Sequence, residues 1–370
     1  MRVALVHDWL TNLGGGERVL AALAEVYSDA PIFTSVYNPS KLSLFKGRDV
    51  RTSFLQNWPL AQRKHQLYPT LRTLAFESFD FSQYDLVIST SSAEAKGIIT
   101  TTETLHISYI HTPTRYYWSG YNDYLQSPGM GVLNPLAKAI MPHSVKKMRH
   151  WDYAAAQRPD VLVANSQTVA DRINRYYNRP AKVIFPPVDT DRFVGSEANG
   201  DYYLVVSRLI PYKRVDLAVQ ACNELNLPLK IIGAGSELKR LQSIAGPTVE
   251  FLGSLSDAQT TQHFQNCKAF IFTANEDFGI TPVEAMSAGK PVIAYGKGGV
   301  TETVEDGKTG VFFHKQSTTS VVKAIRTSEQ INYSSAKILA RAELFSKKRF
   351  THNIIELVNS SMEQRGQYVG

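Results

Sequence analysis

The sequence predicts an α/β chain made of two Rossmann-like halves, each a parallel sheet covered by helices. Three observations carry this. Short apolar runs rich in Val, Ile and Phe alternate with helix-length segments of period near 3.6. The alternation occurs twice, on either side of a proline-, glycine- and acid-containing stretch that breaks both periods. The 370 residues exceed the size of one ordinary domain, and an apolar share of 43% with 20% charged residues is the mix of a globular protein.

In the first half, strands are expected at "RVALVH" (2 to 7), "PIFTSV" (31 to 36), "YDLVIST" (84 to 90), "LHISYIH" (105 to 111), "DVLVAN" (160 to 165) and "AKVIF" (181 to 185). Helices are expected near 16 to 27, 136 to 157 and 167 to 177. The join is "PPVDTDRFVGSEANG", 186 to 200. In the second half, strands at "YYLVVS" (202 to 207), "PLKIIG" (228 to 233), "VEFLG" (249 to 253), "KAFIFTA" (268 to 274), "PVIAY" (291 to 295) and "GVFF" (310 to 313) alternate with shorter helices. This divides the chain into 1 to 186, 187 to 345 and a helical tail, 346 to 370, which either caps the second half or crosses back to the first. Ligands of open parallel sheets bind beyond the carboxyl ends of the strands, so the loops after strands are the places to look for chemistry.

The formal charge of +7 favours anionic partners: phosphorylated small molecules, nucleic acid or an acidic lipid surface. The start "MRVALVHDWL" is interrupted by His7 and Asp8 too soon for a signal peptide, and no run approaches the roughly 20 apolar residues of a spanning helix, so a cytosolic protein is expected. Cys222 and Cys267 sit in apolar-patterned contexts and are expected as reduced core residues.

Five stretches could carry chemistry. In "LTNLGGGERVL", Gly14, Gly15 and Gly16 follow the first strand and open a helix, which makes either a phosphate cradle or a flexible turn. In "VVSRLIPYKRVDLAVQA", Arg208 and Lys213 stand between a strand and a helix, where they would either hold a diphosphate or form a solvated basic loop with Arg214. "KIIGAGSELKRLQ" offers Gly233, Gly235 and Ser236, the last as an N-cap. In "EDFGITPVEAMSAGKPVIAYGKGG", the helix is expected to begin near Pro282 with Thr281 as its cap. Glu284 then falls at capping-box spacing, so it either closes the helix or binds substrate, whereas Glu276 lies in the loop with no capping role. Finally, "SYIHTPTRYYWSGYNDY" places His111 at a strand end, followed by an aromatic segment suited to a sugar or lipid acceptor.

Taken together, "LGGGERV", "SRLIPYKRVD" and "ANEDFGITPVEAMSAGKPVIAYGKGGVTETVEDGKTGVFF" closely resemble the retaining glycosyltransferases of family four, over nearly the whole chain. The resemblance implies the GT-B fold, two Rossmann-like domains facing a central cleft. It implies that Glu276 contacts donor-sugar hydroxyls, that Glu284 binds the nucleotide ribose and that Arg208 and Lys213 bind the diphosphate. Gly279, Ile280 and Thr281 would supply backbone contacts, Gly15 and Gly16 would close over the donor, and His111 would lie near the reacting carbon. The version "VHDWL...GGGERVL" looks most like bacterial enzymes that add mannose or related hexoses in surface-polysaccharide assembly, with GDP-mannose as the first donor to try and a lipid-linked saccharide as acceptor. Neither a metal nor another cofactor is expected, because the "DTD" at Asp189 to Asp191 lies in the join, where turn-forming aspartates are ordinary.

Three rival readings differ in class. An epimerase or a sugar phosphorylase would share the two-half plan without the two-glutamate signature. A nucleic-acid-binding protein would need clustered basic residues, and here they are dispersed. The segment 135 to 158, with Lys138, Lys146, Lys147 and Arg149, is either a peripheral contact for an anionic membrane or an ordinary solvated helix.

Overall fold

The structure is a computed structural model and describes residues 1–64, 68–126, 134–193 and 200–369. The chain falls into two compact units, Met1–Phe185 with Thr351–Gly370, and Pro186–Phe350. The helical tail, Lys347–Val369, therefore belongs from Thr351 onward with the first unit, where the Arg365 guanidinium lies 3.3 Å from Asp160 and donates to the Thr102 carbonyl.

The first unit contains strands β1 (Val3–His7), β2 (Ile32–Thr34), β3 (Val50–Thr52), β4 (Leu86–Ser91), β5 (Leu105–Ile110), β6 (Val161–Ala164) and β7 (Lys182–Val183). They form one parallel sheet in the order β3-β2-β1-β4-β5-β6-β7. The central strands are buried on both faces, which is why they read as continuous apolar runs. Edge strand β3 was not expected from the sequence: its "VRT" is half-exposed and carries no apolar run. The helix Gly15–Val26 follows β1, Asn134–Ala155 precedes β6, and Gln167–Tyr177 follows it, capped by the Ser166 side chain on the Val169 amide.

The second unit contains β8 (Tyr203–Val206), β9 (Leu229–Ile232), β10 (Val249–Gly253), β11 (Ala269–Phe272), β12 (Val292–Tyr295) and β13 (Gly310–Phe313). All are parallel, in the order β10-β9-β8-β11-β12-β13. On one sheet face, Val205, Ile231, Ile271, Ile293 and Phe313 pack against Leu217 and Val321 of the covering helices. Both cysteines are free and buried, and burial pushes their thiols up to about 12, so they remain protonated packing groups. Each sheet reverses its strand order once, between β1 and β4 in the first unit and between β8 and β11 in the second. Such reversals open a crevice at the carboxyl ends of the two strands, the usual ligand position of this architecture.

Candidate functional site

In the second unit, the residues singled out from the sequence flank that reversal. Arg208 and Lys213 lie in the loop after β8, and Glu276 and Gly279 lie in the loop after β11. The Thr273 hydroxyl ties the loops together by donating to the Lys213 carbonyl at 2.7 Å. Lys213 and Glu276 form an ion pair, and the Lys213 ammonium also lies 5.3 Å from the centre of the Tyr212 ring. Arg208 is exposed, with one guanidinium nitrogen 3.4 Å from the Tyr212 hydroxyl. Arg214 does not share this role: its guanidinium turns back onto Asp216 through two contacts of 3.1 Å.

The helix starts earlier than the sequence implied. It runs Ile280–Ser287, and its cap is Gly279 at φ +87°, a left-handed conformation that Thr281 would resist. Pro282 falls in the third helical position, where its missing N–H is one of the amides without an intrahelical partner. Thr281 is therefore not the N-cap, and Glu284, five residues into the helix, lies beyond the capping box proposed for it. Its carboxylate instead accepts from Arg192 at 2.9 Å. The amides of Ile280 and Thr281 remain in the first turn, at the positive end of the helix. Ser236 is a second displaced cap: the helix Leu238–Ile244 has Glu237 at its capping position.

Glycines hold these loops by close backbone approach. A Cβ on Gly298 would lie 2.2 Å from the Glu276 carbonyl oxygen, and one on Gly299 would lie 2.4 Å from both the Asp277 carbonyl oxygen and the Phe278 Cα. Gly233 and Gly235 do the same against the carbonyls of Ser207 and Leu209, on either side of Arg208, at 1.8 and 2.2 Å. The "GAG" stretch therefore shapes the Arg208 loop.

In the first unit, the helix Gly15–Val26 begins after Gly14. Both His111, after β5, and His7, at the end of β1, lie over Gly16: a Cβ there would meet His111 Nε2 and His7 Cε1 at 3.3 Å each. His7 Nδ1 is 2.6 Å from the Thr90 hydroxyl, and His7 Nε2 is 3.7 Å from the buried Glu17 carboxylate. Burial raises the Glu17 pKa, but the hydrogen bond and charge of His7, with a smaller contribution from His111, leave it lowered. A carboxylate thus already faces the helix start at which the sequence suggested a phosphate. His111 is half-buried, its ring centre 5.3 Å from that of Tyr109 and its carbonyl accepting from Asn165 at 3.0 Å.

Part of the aromatic segment after His111 packs inward, while Tyr124 is exposed. Tyr116 is bonded to Glu94 and Arg72, Trp118 stacks on Tyr176 and donates to Asp152, and Tyr117 is buried. Arg149 also leaves the basic face proposed for its helix: it donates to the Tyr117 carbonyl and lies over the Trp118 and Tyr121 rings, whereas Lys138, Lys146 and Lys147 are exposed.

Two family patterns match adjoining parts of the chain, glycosyltransferase family 4 over residues 13–192 and glycosyl transferases group 1 over 188–343. The chain belongs to the family 4-like, group 1 glycosyltransferases. Its fold is GT-B, as in Anabaena HepE crystallised with UDP, which superposes with a TM-score of 0.72 at 21% identity over 97% of this chain and 100% of that one. An uncharacterized glycosyltransferase of Methanocaldococcus jannaschii is 26% identical over 196 residues, 52% of this chain and 55% of the relative. The GDP-mannose-dependent alpha-(1-6)-phosphatidylinositol monomannoside mannosyltransferase of Mycolicibacterium smegmatis is 28% identical over 227 residues, 49% of this chain and 59% of the relative. The chain thus spans less than two thirds of the length of these two curated relatives.

The structure brings Arg208, Lys213, Glu276, Gly279, Ile280 and Thr281 to one reversal point in the second unit, and Gly16, next to Gly15, together with His111 in the first. Arg192, Glu17 and His7 were missed. The local signal for Arg192 was a lone cation followed by Phe193 inside an acidic join, and it was masked by reading "DTD" as turn chemistry. Asp189 and Asp191 do lie at the short turn Thr190–Arg192.

Proposed function

We propose that the protein is a retaining hexosyltransferase that takes a hexose, mannose from GDP-mannose as the first choice, from a nucleotide sugar to a hydroxyl of a lipid-linked saccharide in cell-surface polysaccharide assembly. The observation that carries this reading is the placement of Lys213, Arg208, Glu276 and the Gly279 helix start around the β8/β11 reversal. A diphosphate there would meet two cations and the amides of Ile280 and Thr281. Glu276, held by Lys213, is the acceptor for the sugar hydroxyls, and Glu284 the acceptor for the ribose. Gly15, Gly16 and His111 are assigned the reacting end of the donor. The Mycolicibacterium relative's name supports the choice of GDP-mannose and of a lipid-linked acceptor.

In this reaction the anomeric carbon to phosphate oxygen bond breaks as the acceptor hydroxyl attacks from the same face, and the departing diphosphate takes the hydroxyl proton. Negative charge grows on that diphosphate in the transition state, so Arg208, Lys213 and the helix amides stabilise it more than the ground state. That chemistry needs neither a metal nor a covalent glutamate. The exposed lysines 138, 146 and 147 suit an anionic membrane surface on which a lipid-linked acceptor would be presented.

Thermal-shift screening of nucleotide sugars, beginning with GDP-mannose, tests the donor class. In the enzyme so paired, Glu276→Ala should abolish transfer and leave nucleotide affinity largely intact. Equal loss of both would contradict its assignment to the sugar.

A further inference from the structure

Arg192 stands outside every motif that points to the donor, yet it holds the second signature glutamate. Its guanidinium donates to Glu284 Oε1 at 2.9 Å through one terminal nitrogen and meets Asp257 at 3.2 Å through the other, while Cζ lies 4.6 Å from the centre of the Phe193 ring. The two acids are unequal. Glu284 is 12% exposed and Asp257 64%, so the Asp257 contact is a screened surface pair worth little, and the Glu284 contact dominates.

Arg192 is itself fixed. It closes the short turn Thr190–Arg192, whose Thr190 hydroxyl donates to Glu343 at 3.1 Å. Two residues upstream of that turn, Val188 pairs with the chain beside Ser346: its amide donates to the Phe345 carbonyl at 3.1 Å and its carbonyl accepts from the Lys347 amide at 2.9 Å. Phe193, under the guanidinium, stands edge-on to Phe264 at 5.7 Å. A planar cation held by a bridged backbone, a ring and the nearly buried Glu284 carboxylate is a rigid clamp. A free glutamate, by contrast, has three rotatable bonds to order before it can meet a pair of vicinal hydroxyls.

We propose that Arg192 is a positioning residue for nucleotide recognition, holding the Glu284 carboxylate in the orientation that accepts the ribose hydroxyls. This rests on the ribose role given to Glu284 above. Lysine cannot substitute fully, because one ammonium cannot reach Glu284 and Asp257 while lying flat on Phe193.

The experiment is a double-mutant cycle read by calorimetric affinity for GDP and for UDP, which share the ribose and the diphosphate, together with the thermal midpoint of each variant. Arg192→Ala should weaken both nucleotides about tenfold, and Arg192→Lys should recover part of that loss. In a Glu284→Gln background, Arg192→Ala should add almost nothing, because its effect passes through the carboxylate already removed. Additive losses overturn the proposal, as does an Arg192→Ala protein that melts earlier but binds as the wild type does, which is the signature of a purely structural staple. If Glu284→Gln binds both nucleotides normally, the ribose reading itself fails and takes this one with it. If Glu284→Gln is impaired and Arg192→Ala is not, the ribose reading stands and Arg192 alone is misassigned. Should Arg192→Ala not fold, Arg192→Lys carries the same comparison: no loss for Lys, or a loss that persists in the Glu284→Gln background, overturns the proposal.

Discussion

The two units fix the loops at their strand ends by opposite means. In the first, the fastening is buried charge. Asp152 accepts from Lys96 at 2.6 Å, Thr114 and Trp118 at 2.7 Å and Tyr177 at 2.8 Å, while Arg72 pairs with Glu94 at 2.9 Å. Asp8 takes the backbone amides of Ser92, Ala93 and Ala95. These bonds join the loops after β1, β4 and β5 to three helices, Pro69–Glu77, Asn134–Ala155 and Gln167–Tyr177. In the second unit the loops after β8, β9, β11 and β12 are pressed backbone to backbone at Gly233, Gly235, Gly298 and Gly299. Among the described residues, the buried Asp, Glu, Lys and Arg residues are Asp8, Glu17, Arg72, Glu94, Lys96 and Asp152 in the first unit, against Asp216 and Lys290 in the second. A buried charge network is intolerant of losing one member. A glycine contact tolerates any change of charge nearby but no added Cβ.

The largest expected effect breaks the charge network. Asp152→Ala leaves the Lys96 ammonium buried without its counter-charge and should cost about 3–5 kcal/mol in a denaturant melt. The double change Lys96→Met with Asp152→Leu should recover part of that loss, since it removes both buried charges but leaves Thr114, Trp118 and Tyr177 without their acceptor. A double variant as unstable as the single would show that Thr114, Trp118 and Tyr177 carry the network instead.

Next comes the glycine device. Gly298→Ala strains a residue at φ +79° and drives a methyl toward the Glu276 carbonyl, for a loss of roughly 1–3 kcal/mol. Because the displaced loop carries Glu276, transfer should fall much further than stability does. Proportional losses would mean that the contact is only structural.

A pH-dependent effect tests the buried interior of the first unit. Burial, with the nearby charges of Arg179 and Arg158, holds the His106 imidazole down to about 3, and its Nε2 lies 2.8 Å from the Ser89 hydroxyl. Unfolded, the same ring takes up a proton near pH 6.5. Its contribution to stability is therefore complete above pH 6.5 and is lost progressively as the pH falls toward 3, at up to about 1.4 kcal/mol per pH unit. Urea melts at pH 7, 5 and 4 should show His106→Asn flattening that slope.

The smallest concerns the exposed helix face. Replacing Lys138, Lys146 and Lys147 by Gln should change stability by no more than about 0.5 kcal/mol. The same variant should sediment less with anionic vesicles at low salt, and unchanged sedimentation would sink the membrane reading.

The central strands were legible in the sequence because burial on both sheet faces writes an unbroken apolar run, and the short half-exposed β3 carried no such run. Arg208, Lys213, Glu276 and Gly279 were legible because a strand-to-loop-to-helix pattern places them at strand ends. What failed was everything decided by a distant partner. The T-x-x-E spacing at Thr281 to Glu284 looks like a capping box, but Gly279 takes the turn and Arg192, 92 residues away, takes the carboxylate. Lys96 and Asp152, 56 residues apart, carry no local mark of their pairing. The pairing of Tyr116 and Trp118 was not legible because the buried acids that receive them, Glu94 and Asp152, lie on other elements.

The tail also sets an order of assembly. Residues 351 to 369 complete the unit that begins the chain, and Arg365 reaches back 205 positions to Asp160. At the usual pace of translation, roughly 10 to 35 seconds separate the emergence of Phe185 from that of Arg365. The second unit is contiguous in the chain and has all its strands before then, so the unit begun second is the first able to finish folding. A nascent chain halted before residue 351 should already protect the second sheet from proteolysis while Asp160 and Thr102 still await their guanidinium.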